Sequence, residues 1–399
     1  MPVTAWLDVV GIGADGWDGL APASRAVLEA AEVVIGGDRH HACAPHLTAE
    51  RIHWPSPFRA MVEEIRGLRG RRVAVLVTGD PLWYSAGARF AAMFAPGEVT
   101  FHPHLSAFQL ACARMRWSLA DVETLTVHGR PAEAVLPFLA DRARLVILAR
   151  DGRTPAELAE LLRESGFAGS AMTVLDAMGG PDEARQDGVA RDWTGTTGDL
   201  NTICIDCRAD PGTRPLPRTG LPDSAFQHDG KMTKRELRMI TLARLAPRRG
   251  ALLWDIGAGC GSVGIEWMRA ARDARAIGIE PDPARRAMAA RNATRLGAPR
   301  LALIDGTAPQ ALSELPAPDA VFIGGGLDRE TVAACLRALR PFGRLVANAV
   351  TLESETLLAE MQAEHGGDLT RIAVSRAEPV GRFRGWRPAM PVTQWSCEP

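Results

Sequence analysis

The sequence is almost without lysine: Lys231 and Lys234 are its only two, and the other 44 of its 46 basic residues are arginine. It also lacks an excess of charge. The net charge of −1 leaves no basic surplus for binding nucleic acid or an anionic membrane. No apolar run approaches a membrane span, and the start MPVTAWLDVV lacks the regions of a signal peptide. We therefore expect a cytoplasmic protein that binds neither nucleic acid nor membrane.

Cysteine and histidine are too scattered for a metal site. The seven cysteines are spread along the chain, and we expect reduced thiols. Cys204 and Cys207 match CxxC, but the stretch alternates like a strand and would point the two side chains to opposite faces. His102 and His104 lie close together without the further ligands that zinc needs. No GxSxG motif is present, so we predict neither a metal site nor a serine hydrolase.

The chain is long enough for two domains. Its 399 residues exceed what one hydrophobic core usually serves. Residues 209–224 hold four prolines and two glycines without apolar periodicity, which predicts a linker. Short aliphatic runs alternate with helical stretches on both sides of it. We therefore predict two α/β domains, over residues 1–208 and 225–399.

The C-terminal half predicts an open parallel sheet. Five aliphatic runs predict strands at 251–257, 276–280, 300–305, 319–326 and 343–350. Right-handed crossovers through the intervening helices make a doubly wound, Rossmann-like sheet, which binds its ligand beyond the carboxyl ends of the strands. Asp255, Glu280, Asp305 and a glycine run at 324–326 fall at those ends. The topology therefore predicts the site there.

The turn after the first of these strands carries three glycines in a GxGxG pattern, Gly257, Gly259 and Gly261. Glycine lets backbone pass close to a ligand, and a carboxylate at the next strand end, Glu280, can bind two ribose hydroxyls. Both features suit NAD or S-adenosylmethionine. Asp255 before the glycines and Asp305 after the third strand favour S-adenosylmethionine, because NAD sites need neither.

The motifs WDIGAGCGSVGIE, IGIEPDP and LIDGTAPQAL resemble the class I S-adenosylmethionine-dependent methyltransferases, over nearly all of 228–399. More narrowly, GKMTKRELR and VANAVTLESE resemble the precorrin methyltransferases that act at carbon 15 and decarboxylate a ring acetate. The resemblance implies these cofactor contacts: Thr233, Asp255, Gly257, Ala258, Gly259, Gly261, Glu280, Asp305, Gly306 and Thr307. It implies these substrate contacts: Lys231, Lys234, Arg235, Gly324, Gly325, Asn348 and Thr351.

Both lysines lie at a predicted helix start. Thr233 and Glu236 match a capping box, which predicts a helix from about Lys234. Cations are unfavourable at a helix N-terminus, where the dipole is already positive, unless an anion binds nearby. We therefore predict that Lys231, Lys234 and Arg235 bind substrate carboxylates. The alternative is two lysines at a solvated helix end.

The N-terminal half contains a glycine pattern typical of NAD domains. VVGIGADG, residues 9–16, matches GxGxxG after a strand, and Asp38 lies where a ribose-binding acid would be expected. That fingerprint needs its glycines to open directly into a helix. Gly19 and Pro22 delay the helix until about residue 22. The pattern therefore predicts a loop and disfavours NAD.

Further along, RRVAVLVTGDPLWYSAGARF predicts a buried strand, a Gly-Asp-Pro turn and a helix. With VVGIGADG, VIGGDRH and VHGRP, it resembles the class III tetrapyrrole methyltransferases over most of 1–208. In that family two small α/β subdomains hold S-adenosylmethionine between them. The resemblance implies these cofactor contacts: Gly79, Asp80, Trp83, Ser106 and Ala107. It also implies that the 11–16 loop borders the substrate groove, although His104 stands where the family commonly has a glycine.

Two methyltransferase domains on one chain resemble the fused enzymes of cobalamin synthesis. The resemblance implies methylation of precorrin-6B (6Y) at carbons 5 and 15, with loss of carbon dioxide from the ring C acetate, to give precorrin-8. It implies S-adenosylmethionine in each domain, a tetrapyrrole substrate and a homo-oligomer. No catalytic acid or base is assigned, because an electron-rich ring carbon can attack the methyl group directly. Two alternatives stay open: one domain is a degenerate substrate-carrying scaffold, or the chain is an NAD-linked oxidoreductase.

Overall fold

A computed structural model describes residues 5–54 and 58–398 of the chain. The chain divides into two compact units. The N-terminal unit comprises Met1–Ala132 and Ala140–Pro215, and the C-terminal unit comprises Glu133–Leu139 and Leu216–Pro399. Within the described ranges, no helix has the length and apolar character needed to cross a membrane.

The first sheet of the N-terminal unit is entirely parallel, in the order β3-β2-β4-β1-β5. Its strands are β1 (Leu7–Ile12), β2 (Val33–Gly36), β3 (Glu50–His53), β4 (Val73–Thr78) and β5 (Val99–His102). Its helices are α1 (Pro22–Ala30), α2 (Asp38–Ala42), α3 (Phe58–Gly67) and α4 (Gly87–Met93). The start of α1 at Pro22 confirms the predicted loop after β1, because only a short 3-10 turn intervenes.

The second sheet of this unit is mixed, in the order β6-β7-β10-β8-β9, and only β6 and β7 run parallel. Its strands are β6 (Glu123–Thr126), β7 (Arg144–Leu148), β8 (Ala171–Asp176), β9 (Ala184–Val189) and β10 (Asn201–Asp206). Its helices are α5 (Ala107–Met115) and α6 (Thr154–Glu164). Cys204 and Cys207 are fully buried, and burial raises the pKa of each thiol to about 12, which leaves both unreactive.

The C-terminal unit has a seven-stranded sheet in the order β13-β12-β11-β14-β15-β19-β16, and a separate hairpin of β17 and β18. Its parallel strands are β11 (Leu252–Ile256), β12 (Arg275–Ile279), β13 (Ala302–Ile304), β14 (Ala320–Ile323) and β15 (Arg344–Ala349). Its antiparallel strands are β16 (Asp368–Ile372), β17 (Ser375–Val380), β18 (Phe383–Pro388) and β19 (Val392–Cys397). Its helices are α7 (Arg235–Leu245), α8 (Ser262–Ala270), α9 (Pro283–Arg295), α10 (Arg329–Ala338) and α11 (Leu352–His365).

The five predicted parallel strands are confirmed, and their order is that of a doubly wound sheet. Their near-continuous apolar runs are typical of strands covered by helices on both faces. Trp254 and Trp267 are fully buried within this unit. The strands from residue 368 onward were not predicted. Strands β16, β17 and β18 are largely exposed, and the mostly buried β19 is interrupted by polar residues, which leaves no apolar run to detect.

The second half of the predicted linker packs against the C-terminal unit. Leu221 is fully buried, and the N–H groups of Gly220 and Leu221 donate to the buried carboxylate of Glu266 at 2.5 and 3.0 Å. The guanidinium of Arg238, also fully buried, donates to Glu266 at 2.6 Å and to the carbonyl of Leu221. A buried ion pair of this kind is stable because every polar group in it has a partner. This part of the segment is therefore an ordered piece of the C-terminal unit.

Candidate functional site

A cavity of about 1150 Å³ opens in the C-terminal unit, at the carboxyl ends of the parallel strands. Its walls come from the turns after β11, β12, β13, β14 and β15, from the segment before α7, and from residues in or flanking the hairpin. Pockets for small ligands commonly measure about 300–1,000 Å³, so this one has room for a nucleoside cofactor and part of a larger substrate. The site lies at the edge of the sheet that the topology predicts.

The glycine turn after β11 approaches the turn after β14 very closely. Gly257 has a positive φ of 69°, and a Cβ there would stand 2.7 Å from the backbone nitrogen of Gly325. No larger residue fits such a contact. Gly259, also at positive φ, faces the carbonyl of Lys231. The two turns therefore form a narrow backbone cradle, which suits a ligand bound through main-chain groups.

Asp255 lies just before the glycines and anchors the helix that follows them. Its Oδ2 accepts a 2.9 Å hydrogen bond from the N–H of Gly264 in α8. The side chain is buried, and this burial raises the pKa of Asp255 to about 7. The nearby negative charge of Glu280 also raises this pKa, whereas the hydrogen bond from Gly264 lowers it. The carboxyl group lines the cavity. Its hydrogen bond to Gly264 indicates that Asp255 orders the start of α8.

Glu280 lies one strand away and lines the same cavity. Its Oε2 accepts from the N–H of Gly259 at 2.8 Å, and its Oε1 accepts from the N–H of Asp282 at 3.1 Å. Each carboxylate oxygen can accept a second hydrogen bond. Glu280 is therefore held rigidly against the glycine turn, with acceptor capacity left for the hydroxyl groups of a ribose.

Lys231 and Lys234 both line the cavity. Within the ranges that the structure describes, neither ammonium group forms an ion pair with a carboxylate. The predicted capping box, however, is wrong. Helix α7 begins at Arg235 with Lys234 as N-cap and has no capping side chain of its own.

Two carboxylates explain why the capping box does not form. Oδ1 of Asp223 accepts from the N–H of Arg235 at 3.0 Å and takes the place that Thr233 was predicted to fill. Glu236 instead forms an ion pair with Arg376. A charged acceptor binds an amide more strongly than a hydroxyl group does, so Asp223 prevails over Thr233. The lysines thus stand beside a helix start that is already neutralised by an acid.

Most residues predicted for this unit line the cavity together. They are Lys231, Thr233, Lys234, Asp255, Gly257, Ala258, Gly259, Glu280, Gly306, Thr307, Gly324, Gly325 and Asn348. Four others do not line it: Arg235, Gly261, Asp305 and Thr351. Asp305 is largely exposed and forms a two-point ion pair with Arg286 at 2.8 and 2.9 Å. Gly261 and Thr351 are the N-caps of α8 and α11.

One wall of the cavity was not predicted at all. It consists of residues on or beside the antiparallel strands: Val374, Arg376, Ala389, Met390 and Val392. The N–H of Ala389 donates to the carbonyl of Val374 at 2.8 Å, which fixes the base of the hairpin. Four of these five residues are apolar, and no motif marks them because an apolar wall requires only size and shape. Their signal lies in the fold and not in the local sequence.

In the N-terminal unit, the predicted residues gather around the Gly-Asp-Pro turn after β4. Gly79 has a positive φ of 63°, and its N–H donates to the carbonyl of Ile12 at 3.0 Å. A Cβ on Gly79 would lie 3.4 Å from Cα of Ser106, and one on Gly11 would lie 2.1 Å from the carbonyl oxygen of Gly79. The turn, the 11–16 loop and the start of α5 therefore meet at one point.

The side chains around this point are held in place by local contacts. Ser106 is the N-cap of α5 and forms a capping box with Gln109. Oδ1 of Asp80 accepts from the N–H of Leu82, and the ring of Trp83 packs on Phe108 with centroids 5.0 Å apart. Leu82 and Leu105 are each 52% exposed on either side of the turn. Two exposed leucines beside an ordered backbone turn are suited to an apolar ligand surface.

The ends of β2 and β4 carry a polar cluster that was not predicted. The side chains of Arg39 and His40 both contact Oγ1 of Thr78, the residue before Gly79. Burial, with the charge of Arg39, lowers the pKa of His40 to about 4, so the ring is neutral. His102 and His104 contact Asp8 and Asp15 separately. Across the described ranges, no group of three or more metal-binding side chains comes together.

Comparison with known proteins assigns a family to each half. The family described as tetrapyrrole (corrin/porphyrin) methylases matches residues 7–192, and the family described as precorrin methyltransferase domain matches residues 224–399. The solved C-terminal domain of precorrin-6Y C5,15-methyltransferase from Rhodobacter capsulatus is 52% identical. The match covers 45% of this chain and 98% of that one, with a TM-score of 0.43.

Two relatives extend along nearly the whole chain. A precorrin-6Y C(5,15)-methyltransferase [decarboxylating] from Sinorhizobium sp is 47% identical over 99% of this chain and 96% of its own length. A protein of the same name from Mycobacterium tuberculosis is 41% identical over 97% of this chain and 98% of its own length. Identity of this level over both halves means that the chain belongs to the precorrin-6Y C(5,15)-methyltransferase (decarboxylating) family.

Proposed function

We propose that this protein methylates precorrin-6Y at carbons 5 and 15 and removes carbon dioxide from the acetate of ring C, giving precorrin-8. The observation that carries the proposal is the identity of 47% along nearly the entire chain to a relative whose name states both methylations and the decarboxylation. We assign carbon 5 to the N-terminal unit and carbon 15, with the decarboxylation, to the C-terminal unit. We propose domains over residues 1–208 and 225–399, with residues 216–224 of the predicted linker packed on the C-terminal one.

The geometry of the C-terminal cavity supports this assignment. S-adenosylmethionine supplies a methyl group that an electron-rich carbon can accept without a strong base. The narrow cradle of Gly257 and Gly325 would hold the cofactor backbone, and Glu280 would bind its ribose. Thr307 and Gly306 line the same cavity and would border the adenine. The work of the chain is then to align the two reactants and to exclude water.

In the N-terminal unit we propose a second S-adenosylmethionine site at the Gly-Asp-Pro turn. The positive φ of Gly79 and its contact with the start of α5 support a ligand bound through main-chain groups. Ser106 and Ala107 at the first turn of α5, with Asp80 and Trp83, would complete the contacts. The 11–16 loop would border the substrate, because Gly11 packs directly on Gly79.

The direct test is product analysis with the full chain. Precorrin-6B is incubated with S-adenosylmethionine that carries an isotopically labelled methyl group, and the products are identified by mass. The proposal expects two labelled methyl groups and the loss of one carbon dioxide. A product with no labelled methyl group would refute it. A product with one methyl group at saturating cofactor would favour the alternative in which one unit is a scaffold.

Cofactor titration separates the remaining alternatives. Two S-adenosylmethionine sites per chain agree with the proposal, one site agrees with a scaffold unit, and NAD binding would agree with an oxidoreductase. The delayed start of α1 argues against NAD, since the glycines of β1 do not open into a helix N-terminus. We also propose a cytoplasmic location, which the seven unpaired cysteines support.

We further propose a homo-oligomer. The C-terminal unit exposes four large apolar side chains on or beside its hairpin, Val380, Phe383, Trp386 and Met390, each more than 60% exposed. An apolar surface of this kind is commonly covered by a partner. Light scattering coupled to size-exclusion chromatography would report the mass in solution, and a monomer at micromolar concentration would contradict the expectation.

A further inference from the structure

Three polar side chains from three elements meet in the core of the C-terminal unit. They are Thr241 in α7, Asn348 in β15 and Gln394 in β19, and the last two are directly opposite each other in the sheet. Nε2 of Gln394 lies 3.1 Å from Oγ1 of Thr241 and 2.9 Å from Oδ1 of Asn348. Nδ2 of Asn348 lies 3.2 Å from the same Oγ1. Thr241 and Gln394 are buried, whereas Asn348 lines the cavity.

These contacts fix the orientation of the Asn348 amide. The Gln394 nitrogen uses its two hydrogens for Thr241 and for the oxygen of Asn348. The oxygen of Asn348 must therefore face Gln394, and its nitrogen must face Thr241. An amide nitrogen carries two hydrogens, and only one of those on Asn348 has an acceptor in the part of the chain that the structure describes. The second is a neutral donor available to a ligand in the cavity.

The surroundings of this donor are mainly apolar. In the sheet, β15 is separated from β11 by β14, so Asn348 is about 10 Å along the strand ends from the glycine turn. Val350 follows β15, and Val392 begins β19 beside it. The cation on this wall, Arg376, is neutralised by its ion pair with Glu236. The exposed acids Asp328 and Glu330 also line the cavity, after β14.

The cavity thus offers two kinds of carboxylate partner. Lys231 and Lys234 supply full positive charges, and Asn348 supplies one uncharged N–H beside an apolar wall. A positive charge stabilises a carboxylate strongly, whereas a neutral amide binds it weakly. We therefore expect the lysines to hold carboxylates that stay on the product, and the amide to suit the carboxylate that leaves as carbon dioxide.

We propose, on the basis of the proposed function, that Asn348 binds the acetate carboxylate that is lost, and that Gln394 is the positioning residue that orients it. In the decarboxylation the bond between the methylene carbon and the carboxyl carbon breaks, and carbon dioxide leaves. The electron pair passes into the protonated imine of the macrocycle. Water then supplies a proton to the methylene carbon, the imine is restored, and the acetate has become a methyl group.

The charge distribution explains why an amide suits this step better than a lysine. Negative charge leaves the carboxylate as carbon dioxide forms, so an ion pair would stabilise the starting state more than the transition state and slow the reaction. An uncharged donor holds the group in place without that penalty. Apolar walls disfavour the carboxylate relative to neutral carbon dioxide. The lysines would bind the carboxylates that the product retains.

The test uses Gln394→Glu in the full chain. A glutamate cannot donate to the oxygen of Asn348, so the amide turns over and presents its oxygen to the cavity, where it repels a carboxylate. With precorrin-6B and S-adenosylmethionine, we expect the ratio of decarboxylated to non-decarboxylated methylated product to fall about tenfold or more. Asn348→Ala should lower the same ratio to a similar extent. A wild-type ratio in Asn348→Ala would overturn the proposal, even if Gln394→Glu does not fold.

A double variant then tests the positioning role. If Gln394 acts through Asn348, adding Gln394→Glu to Asn348→Ala causes no further change in the ratio, whereas additive losses would overturn that role. S-adenosylmethionine binding to each variant reports that the fold and the cofactor site persist. Failure of the wild-type protein to methylate precorrin-6B would instead refute the proposed function. The two failures are therefore distinguishable.

Discussion

The backbone N–H of Gly259 donates a 2.8 Å hydrogen bond to Oε2 of Glu280, joining the glycine turn of β11 to the end of β12. The carboxylate is almost entirely buried, yet it lines the cavity. The pair therefore holds the turn in shape, and we propose that the same carboxylate binds the ribose of the cofactor.

Replacing Glu280 with alanine should remove cofactor binding from the C-terminal unit only. The loss of two hydrogen bonds to a charged acceptor should cost about 3 kcal/mol or more. Isothermal titration should show a stoichiometry that falls from two S-adenosylmethionine molecules per chain to one. Glu280→Gln, which keeps one acceptor oxygen, should give an intermediate affinity. Two sites of wild-type affinity in the alanine variant would contradict the assignment.

Replacing Gly79 with arginine should block the N-terminal site. The residue stands at positive φ, and a Cβ there already approaches the backbone at Ser106 and Leu105. We expect a tetrapyrrole product that has one methyl group fewer but has still lost carbon dioxide, as mass analysis would show. Gly70→Arg is the matched control, because that glycine also has positive φ but faces open space. Persistence of the doubly methylated product would refute the division of labour.

Replacing Lys231 and Lys234 with glutamine should weaken substrate binding and leave folding intact. Asp223, and not Thr233, caps the first amide of α7, so the helix start does not depend on the lysines. We expect KM for the tetrapyrrole to rise about tenfold to a hundredfold, with S-adenosylmethionine affinity nearly unchanged. Arg248→Gln with Arg249→Gln removes two exposed cations outside the cavity and serves as control.

Salt provides a second measurement on the same lysine variants. The wild-type KM should rise with ionic strength, and that of the double glutamine variant should rise less steeply, because salt screens only charges that are present. A wild-type KM together with a wild-type salt dependence would mean that the two lysines are a solvated helix end.

Asp255 should make the stability of the C-terminal unit depend on pH. In the unfolded chain this carboxyl loses its proton near pH 4, whereas burial raises its folded-state pKa to about 7. Between these values the folded state binds more protons, so stability falls as pH rises through the window and is constant above it. The cost can reach about 4 kcal/mol above pH 7. The Asp255→Asn variant has no ionisable group at this position and therefore lacks this cost, and its amide oxygen can still accept the hydrogen bond from the N–H of Gly264.

Unfolding in urea at about pH 5 and about pH 8 would measure the effect, without added cofactor. The stability of Asp255→Asn relative to wild type should be clearly higher at the upper pH. A difference between the two proteins that stays constant with pH would show that the carboxyl is ionised throughout.

The parallel half of the C-terminal sheet was predictable because its strands are apolar, buried on both faces and followed by glycine or acidic residues, as Trp254 and Asp255 illustrate. The antiparallel half was not. Val392 and Gln394 lie in β19, whose residues carry no motif, and β19 reaches the cavity region through its pairing with β15. The role of Glu236 in a capping box was predicted wrongly for a related reason. Its actual partner, Arg376, is 140 residues away in the sequence and gives no local signal.

In the N-terminal unit too, features with a local sequence signal were predicted and features that depend on distant contacts were not. The delay of α1 followed from Gly19 and Pro22, which act locally. The cluster of Arg39, His40 and Thr78 depends on the adjacency of β2 and β4 and had no local signal. Patterns along the chain thus predicted elements and turns, whereas contacts between distant elements required the fold.

The buried bonds from Gly220 and Leu221 to Glu266 bear on how the two activities can be separated. A polypeptide that starts at residue 225 would lose both amide donors, the carbonyl partner of Arg238 and the apolar contact of Leu221. Its core would then hold the Glu266 carboxylate with two of its three hydrogen-bond partners missing, a defect that costs on the order of several kcal/mol. A polypeptide that starts before Leu216 keeps all of them, so limited proteolysis should release a stable fragment with its new terminus at or before that residue.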